Sequence, residues 1–286
     1  MKRAMFPMVL LFLTTTLTMC TTKEKKEIGL QLYSVRDAMK EAPVETVKKV
    51  GEMGYTFVEA AGYADGKFYG MDPEAFKSLT EESGMKFISS HTGQALPDSA
   101  SWDETMQWWD RCIDAHKRAG VKYIVQPSMD EVGYNSLDGL KRYCEYFNAV
   151  GEKCRENGIL FGYHNHSGEF AELEGQVIYD FMLQNTDPDK VFFQIDLYWI
   201  KEGGKNPVDY FNNYPGRFLL WHVKDEKELG ASGEMDFESS FALADKAGVD
   251  YIIVEVEKYN FDPLESVKKS LEFLQNADFV RNSYTE

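Results

Sequence analysis

Eight short runs of β-branched and aromatic residues recur along the chain, their starts roughly 25 to 40 residues apart, with longer amphipathic stretches between them. This is the βα repeat of a parallel sheet. Strands are expected at Ile28–Tyr33, Thr56–Ala60, Lys86–His91, Lys122–Gln126, Leu160–His164, Val191–Asp196, Phe218–Val223 and Tyr251–Glu255. Helical periodicity falls between them, for example at Val44–Met53, Pro73–Ser83, Trp102–Ala119, Leu137–Asn157, Phe237–Ala247 and Pro263–Gln275. Arg118-Ala119-Gly120, Glu156-Asn157-Gly158 and Lys246-Ala247-Gly248 have the form of helix C-caps feeding the next strand. Eight repeats without a Pro/Gly/Ser-rich linker predict an α/β fold closed into a single-domain (β/α)8, or TIM, barrel. An open doubly wound sheet is the alternative, but no Gly-rich phosphate fingerprint follows the first strand.

The barrel is expected to occupy residues 28–286. Ahead of it, Met1–Arg3 is basic and Ala4–Met19 is an almost uncharged run, too short and too closely followed by charge to be a good membrane span. It reads as a signal peptide over residues 1–20, ending in Leu17-Thr18-Met19-Cys20. That ending resembles the bacterial lipobox, which implies lipidation at Cys20 and a cell-envelope lipoprotein facing the periplasm. Secretion without a lipid is the other outcome, because Met19 stands where a small residue is preferred. Residues 21–27 read as a polar tether.

The formal net charge of −16 repels a polyanion, so nucleic acid is not expected as a partner. Contact with a membrane is expected only through the N-terminal lipid. A homo-oligomer is compatible with the sequence, which does not specify one. Cys112, Cys144 and Cys154 fall in helical stretches. The latter two would lie about 15 Å apart along one helix, too far to bridge. All three read as structural thiols.

In a barrel of this kind the chemistry sits at the C-terminal ends of the strands. Here those ends carry Glu59, His91, Gln126, His164 with His166, Asp196, His222 with Lys224, and Glu255 with Glu257. The period of two sends both members of each pair to one face. His164, Asp196, His222 and Glu255 come from the fifth to eighth strands, which are neighbours around the barrel. Taken singly, such residues are more often caps or hydrogen-bonded core groups. Four at corresponding positions of successive repeats point to a divalent metal site. Two imidazoles and two carboxylates suit Mn²⁺, Co²⁺, Zn²⁺ or Fe²⁺ better than Ca²⁺ or Mg²⁺.

The chain resembles the xylose isomerase-like superfamily of sugar isomerases and epimerases, which includes inosose dehydratases and endonuclease IV. The resemblance is carried by Gly29-Leu30-Gln31-Leu32-Tyr33-Ser34, Val58-Glu59, Ser89-Ser90-His91 and Tyr163-His164-Asn165-His166. It continues through Ile195-Asp196, Trp221-His222-Val223-Lys224-Asp225 and Ile253-Val254-Glu255-Val256-Glu257. By position it implies His164, Asp196, His222 and Glu255 as metal ligands, with His164 standing where many members have Glu. That departure weakens the family's paired-glutamate mechanism. Glu255 would then be joined as acid or base by His166, Lys224 or Glu257.

The implied reaction begins with a metal polarising a sugar carbonyl, so that a nearby base removes the adjacent C–H proton. Isomerisation, epimerisation and β-elimination share that enediolate step, and the fold does not choose among them. Export and the absence of an evident phosphate cradle point to an unphosphorylated sugar or keto-sugar. The His-Asn-His form, followed by Glu169-Phe170, is also similar to members acting on oxidised sugars by elimination or hydration. A 3-keto-glycoside lyase or dehydratase is therefore the alternative to an isomerase/epimerase. A non-catalytic sugar-binding lipoprotein and an endonuclease IV-like nuclease are the other classes, the nuclease conflicting with the acidic charge.

Glu59 and His91 are expected to bind sugar hydroxyls or to support the ligands. Lys224 would stabilise an enolate or pair with Asp225. Tyr198 and Trp199 would stack on a sugar or pack in a loop, and Glu257 would meet substrate. Trp102, Trp108 and Trp109 read as helix packing, and His116 as a solvated helix residue.

Overall fold

The computed structural model describes residues 25–285. The signal segment, Cys20 and the first part of the tether lie outside the described residues. The end of the expected tether is not loose chain: the Lys26 ammonium donates to Leu274 O at 3.1 Å, and Glu27 N donates to Asn282 O at 2.7 Å.

Eight parallel strands close into one barrel. They are β1 (Gly29–Gln31), β2 (Phe57–Ala60), β3 (Lys86–His91), β4 (Tyr123–Gln126), β5 (Leu160–His164), β6 (Val191–Asp196), β7 (Leu220–Val223) and β8 (Tyr251–Val254). Each pairs with the next, and β8 closes onto β1. The expected single-domain (β/α)8 fold is the one found.

Alternation along the strands builds the interior in layers. Phe57, Tyr123, Phe192, Leu220 and Ile253 form an apolar cluster inside the barrel, separate from the larger core under the helices. Two residues further along the same faces stand Glu59, Gln194, His222 and Glu255. A period that fills the lower barrel with rings thus delivers polar groups to its upper end. The lower layer is tight: a Cβ on Gly29 would lie 2.0 Å from the Phe57 ring, and one on Gly162 would lie 2.5 Å from Phe192.

β3, β5 and β6 match their expected limits, and the other five strands begin or end a residue or two inside theirs. β1 stops at Gln31 because the Gln31 side chain accepts from Tyr33 N at 3.0 Å and starts a 3₁₀ turn, Leu32–Val35. The expected helix Phe237–Ala247 is two short helices, Phe237–Phe241 and Ala244–Ala247. Ser240 Oγ bonds back to Asp236 O at 3.3 Å, a contact that bends helices. Further short helices lie between the strands at Arg36–Glu41, Val132–Asn135, Ile178–Asn185, Leu197–Glu202 and Pro207–Asn213.

Two small antiparallel ribbons rise from the loops after β2 and β5. Tyr63–Ala64 pairs with Lys67–Phe68, and Glu172–Leu173 with Gln176–Val177. Their turns, Asp65-Gly66 and Glu174-Gly175, have positive φ at both positions, as a tight hairpin requires. The first ribbon corrects the expectation for His116. Tyr63 and Phe68 close over its ring at centroid distances of 4.9 Å, so His116 is fully buried rather than solvated. Trp109 is buried as expected, its indole donating to Tyr146 Oη at 2.6 Å. Cys112, Cys144 and Cys154 are free and buried.

Candidate metal centre

His164, Asp196, His222 and Glu255 each offer a ligand atom within 4.8 Å of the others, and all four are buried. They stand at the upper ends of β5 to β8. Asp196 ends its strand and caps the next helix: its Oδ1 accepts from Tyr198 N at 2.9 Å and Trp199 N at 2.8 Å. That leaves Oδ2 buried with no hydrogen-bond partner among the described residues; the nearest cation, Lys224 Nζ, is 4.0 Å away. A buried carboxylate oxygen left unpaired is costly, and such sites regularly receive an ion. Burial raises the pKa of Asp196 to about 7 despite the opposing pull of Lys224. The carboxylate is short of positive charge.

Below this cluster lies a saturated polar floor centred on Glu59. Its Oε1 accepts from Gln31 Nε2 at 2.8 Å and lies 2.6 Å from His222 Nε2 and 3.2 Å from His91 Nε2. Its Oε2 accepts from Ser89 Oγ at 2.5 Å and Gln194 Nε2 at 2.8 Å. Burial would raise the pKa of Glu59, but His91, His222 and these hydrogen bonds hold it at about 2. Of the two expected roles for Glu59, these contacts match support of the ligands. It is a buried anion fully engaged by protein donors.

His222 is held from both sides. Glu59 faces its Nε2, and Glu255 Oε2 lies 3.2 Å from its Nδ1. Burial favours the neutral ring, yet the two carboxylates outweigh it and raise the pKa to about 10. With Nε2–H given to Glu59, Nδ1 is the nitrogen that faces Glu255 and the open position. This carboxylate–histidine arrangement is the usual support of a metal-binding imidazole.

His91 and His164 are neutral rings. Burial lowers both, with neighbouring His222 adding to the effect. His91 stacks on His222 at 5.1 Å, and its Nε2 is committed to Gln194 Oε1 at 2.6 Å as well as to Glu59. It stands within the supporting layer, which narrows its expected role in binding sugar. A second grouping of His91, His164 and His222 also falls within ligand distance of itself. The nitrogens bonded to Glu59 and Gln194 are already satisfied, so the four-residue group fits a cation better.

Lys224 follows β7 and is 1% exposed. Its ammonium donates to Glu255 Oε2 at 3.0 Å and lies 2.9 Å from Glu257 Oε2. Burial lowers its pKa, but Glu255, Asp196 and Glu257 raise it above the ordinary lysine value. Lys224 is thus a fixed cation and proton donor, not a neutral base. It pairs with Glu255 and Glu257, and the expected pairing with Asp225 is not among its bonds. Glu255 is pushed well below the usual carboxylate range by Lys224 and His222, against the effect of burial.

Trp199 lies between the two sides of the mouth. Its face takes the Lys224 ammonium 4.9 Å from the ring centroid, and the His166 ring is tilted against it at a centroid distance of 5.8 Å. That contact occupies one face of the ring, in keeping with the packing alternative. Its Nε1–H is buried without a partner among the described residues. His166 follows His164 at 5.0 Å and is set by Glu169, whose Oε2 accepts from His166 N at 3.0 Å. Glu169 itself is buried, held through Oε1 by Tyr134 Oη at 2.8 Å and Tyr163 Oη at 2.6 Å. Gln126 faces away from the cluster and bonds to Gln94 O and Ser128 O.

Sequence reasoning missed Gln31, Ser89, Asn165 and Gln194. Gln194 was recoverable: it lies two residues before Asp196 on the same inward face. Asn165 Oδ1 accepts from Asp196 N at 3.0 Å and steadies the top of β6.

A profile of the xylose isomerase-like TIM barrel family matches residues 47–277. The chain belongs to this family. Within the xylose isomerase-like TIM barrels, it is similar to a Parabacteroides distasonis protein described as a sugar phosphate isomerase/epimerase. The two are 33% identical, with a TM-score of 0.84, over 90% of this chain and 100% of that one. Inosose dehydratase from Lacticaseibacillus casei is 26% identical, over 66% of this chain and 68% of its own length. Inosose dehydratase from Clostridium tetani is 25% identical, over 88% and 97%.

Proposed function

We propose that this protein is a divalent-metal-dependent isomerase or epimerase of an unphosphorylated sugar or keto-sugar. The observation that carries the reading is the buried, unpaired Asp196 Oδ2 within reach of His164, His222 and Glu255. Those four residues would hold the ion. Mn²⁺, Co²⁺, Zn²⁺ and Fe²⁺ all suit the donor set. The bound ion supplies Lewis acidity to a carbonyl and a neighbouring hydroxyl.

The proton-moving groups stand on two sides of the cluster. His166 follows β5, while Glu257 and Lys224 follow β8 and β7, so acid–base groups flank a substrate from separated parts of the rim. That arrangement suits removing a proton from one position and returning it to another. Glu257 is the base best placed on its side, with Lys224 holding its carboxylate and donating toward developing negative charge. The Parabacteroides relative's description names a sugar phosphate. In this site, however, Lys224 is matched by Glu255 and Glu257, while Arg36 donates to Tyr259 Oη and Tyr33 O. With those cations engaged, the unphosphorylated sugar is favoured.

A second reading is a dehydratase or 3-keto-glycoside lyase. It is favoured by the inosose dehydratase relatives and by the Lys224–Glu257 contact, which puts a base beside a proton donor for a departing oxygen. Incubation with Mn²⁺ or Co²⁺ and a panel of sugars and 3-keto-glycosides in D₂O separates the two. Deuterium at carbon with the skeleton intact supports isomerisation or epimerisation. Release of water or an aglycone supports elimination, and neither outcome with any substrate refutes both. The setting we propose is the cell envelope, with a lipid on Cys20; palmitate labelling that persists in Cys20→Ala would refute the anchor.

A further inference from the structure

We infer that Gln194 is a positioning residue that fixes the tautomers of His91 and His164 and so makes His164 Nε2 the nitrogen offered to a metal. The inference concerns the metal site proposed above and deepens it.

The reasoning starts from Glu59. A carboxylate oxygen accepts hydrogen bonds, and the two oxygens of Glu59 are ringed by donor groups: Gln31 Nε2, Ser89 Oγ, His91 Nε2 and His222 Nε2. The Gln194 amide, fully buried, has one atom 2.8 Å from Glu59 Oε2. That atom must be the NH₂ end, since an amide oxygen there would set two acceptors against each other. The amide cannot flip. Its oxygen is therefore fixed toward the opposite side, where it meets His91 Nε2 at 2.6 Å and His164 Nδ1 at 3.1 Å.

An amide oxygen accepts and does not donate, so both of those ring nitrogens carry hydrogen. A neutral imidazole has a single N–H, and here the geometry gives it to the amide oxygen. His164 must then be the Nδ1–H tautomer, with its lone pair on Nε2, and His91 the Nε2–H tautomer. His222 has a carboxylate at each nitrogen, Glu59 at 2.6 Å from Nε2 and Glu255 at 3.2 Å from Nδ1; Glu255 is itself one of the proposed ligands, so Nδ1 is the nitrogen that would turn to the ion. The two metal-facing imidazoles are thus expected to use different nitrogens, each dictated by the acceptor behind it. One chain of contacts, Glu59 to Gln194 to His164, carries the orientation from β2 through β6 to β5. A carboxylate ligand has no tautomer to fix; an imidazole does, because only one of its tautomers presents a lone pair to the ion.

The test uses the full-length protein. The chain has five histidines, few enough for ¹⁵N-labelled imidazoles to be resolved, with His164→Asn identifying the His164 signals. In the metal-free protein, His164 is expected as the Nδ1–H tautomer. An Nε2–H tautomer, or rapid exchange between the two, would overturn the inference without any substitution having to fold. In Gln194→Met, a near-isosteric change that removes the acceptor, His164 should lose its fixed tautomer, and zinc affinity by chelator competition should fall about 10- to 100-fold. Zinc binding within twofold of wild type in a cooperatively folding Gln194→Met would equally overturn it. Failure of the wild type to bind zinc would count against the metal reading instead, while the tautomer of the metal-free protein still decides the role of Gln194.

Discussion

Glu59 Oε1 lies 2.6 Å from His222 Nε2, inside the barrel and out of reach of solvent. The contact links a β2 carboxylate to a β7 imidazole across the barrel interior, and it leaves the other nitrogen of His222 turned toward Glu255. Glu59→Gln keeps the shape and removes the charge. Metal affinity should then fall about 10- to 100-fold, the usual cost of losing a carboxylate behind a ligating histidine. Isothermal titration with Zn²⁺ measures it, and unchanged affinity would mean that Glu59 serves packing alone.

Metal binding should depend on pH through Asp196. Its pKa of about 7 in the metal-free protein means that a proton competes with the ion at and below neutrality. Affinity should drop as pH falls below 7, by up to about tenfold per unit from this group, because a ligating carboxylate must be deprotonated. His222, with its pKa of about 10, should release a further proton when its Nδ1 binds the ion. Calorimetry in buffers of different ionisation enthalpy counts the protons. No proton release at pH 6 would contradict the assignment.

The strand ends were legible because the period of two and the βα spacing are strong signals, and His164, Asp196, His222 and Glu255 converge as that pattern requires. Gln194 and Gln31 are less legible because a neutral amide does not signal chemistry by residue type. Their importance comes from what they face across the barrel, which no local pattern encodes. His116 was misread for a related reason: on its own helix it looks solvated, and the cover arrives from the Tyr63–Phe68 ribbon some fifty residues earlier. That ribbon had a readable Asp65-Gly66 turn. The cap formed by Asp196 hid the short helix Leu197–Glu202, since one residue serves both as a strand end and as a helix start.

Lys224→Met separates binding from turnover. Removing the cation frees Glu255 and Glu257 from competition, so metal affinity should stay level or rise. Turnover should fall about 100-fold or more if the ammonium donates a proton or steadies the developing charge. Steady-state kinetics beside zinc titration distinguish this outcome from a general loss of structure, in which both would decline.

His116 predicts an acid-sensitive step in stability. Burial lowers its pKa to about 4, while the unfolded chain titrates near 6.5. The unfolded state therefore binds the extra proton between these values. The contribution of this group is fully present above about pH 6.5 and is lost as pH falls toward about 4, by about 3 kcal/mol. His116→Phe should flatten the pH dependence of urea unfolding across that window. An unchanged slope would show that His116 is not the group responsible.

Metal content measured on the purified full chain, after equilibrium dialysis against Zn²⁺, Mn²⁺ or Co²⁺, bears most directly on the centre formed by His164, Asp196, His222 and Glu255. One equivalent per chain in the wild type, lost in both Asp196→Ala and Glu255→Ala while each variant still unfolds cooperatively, is the predicted result. A wild type that retains no ion, or variants that retain as much as it does, would contradict it.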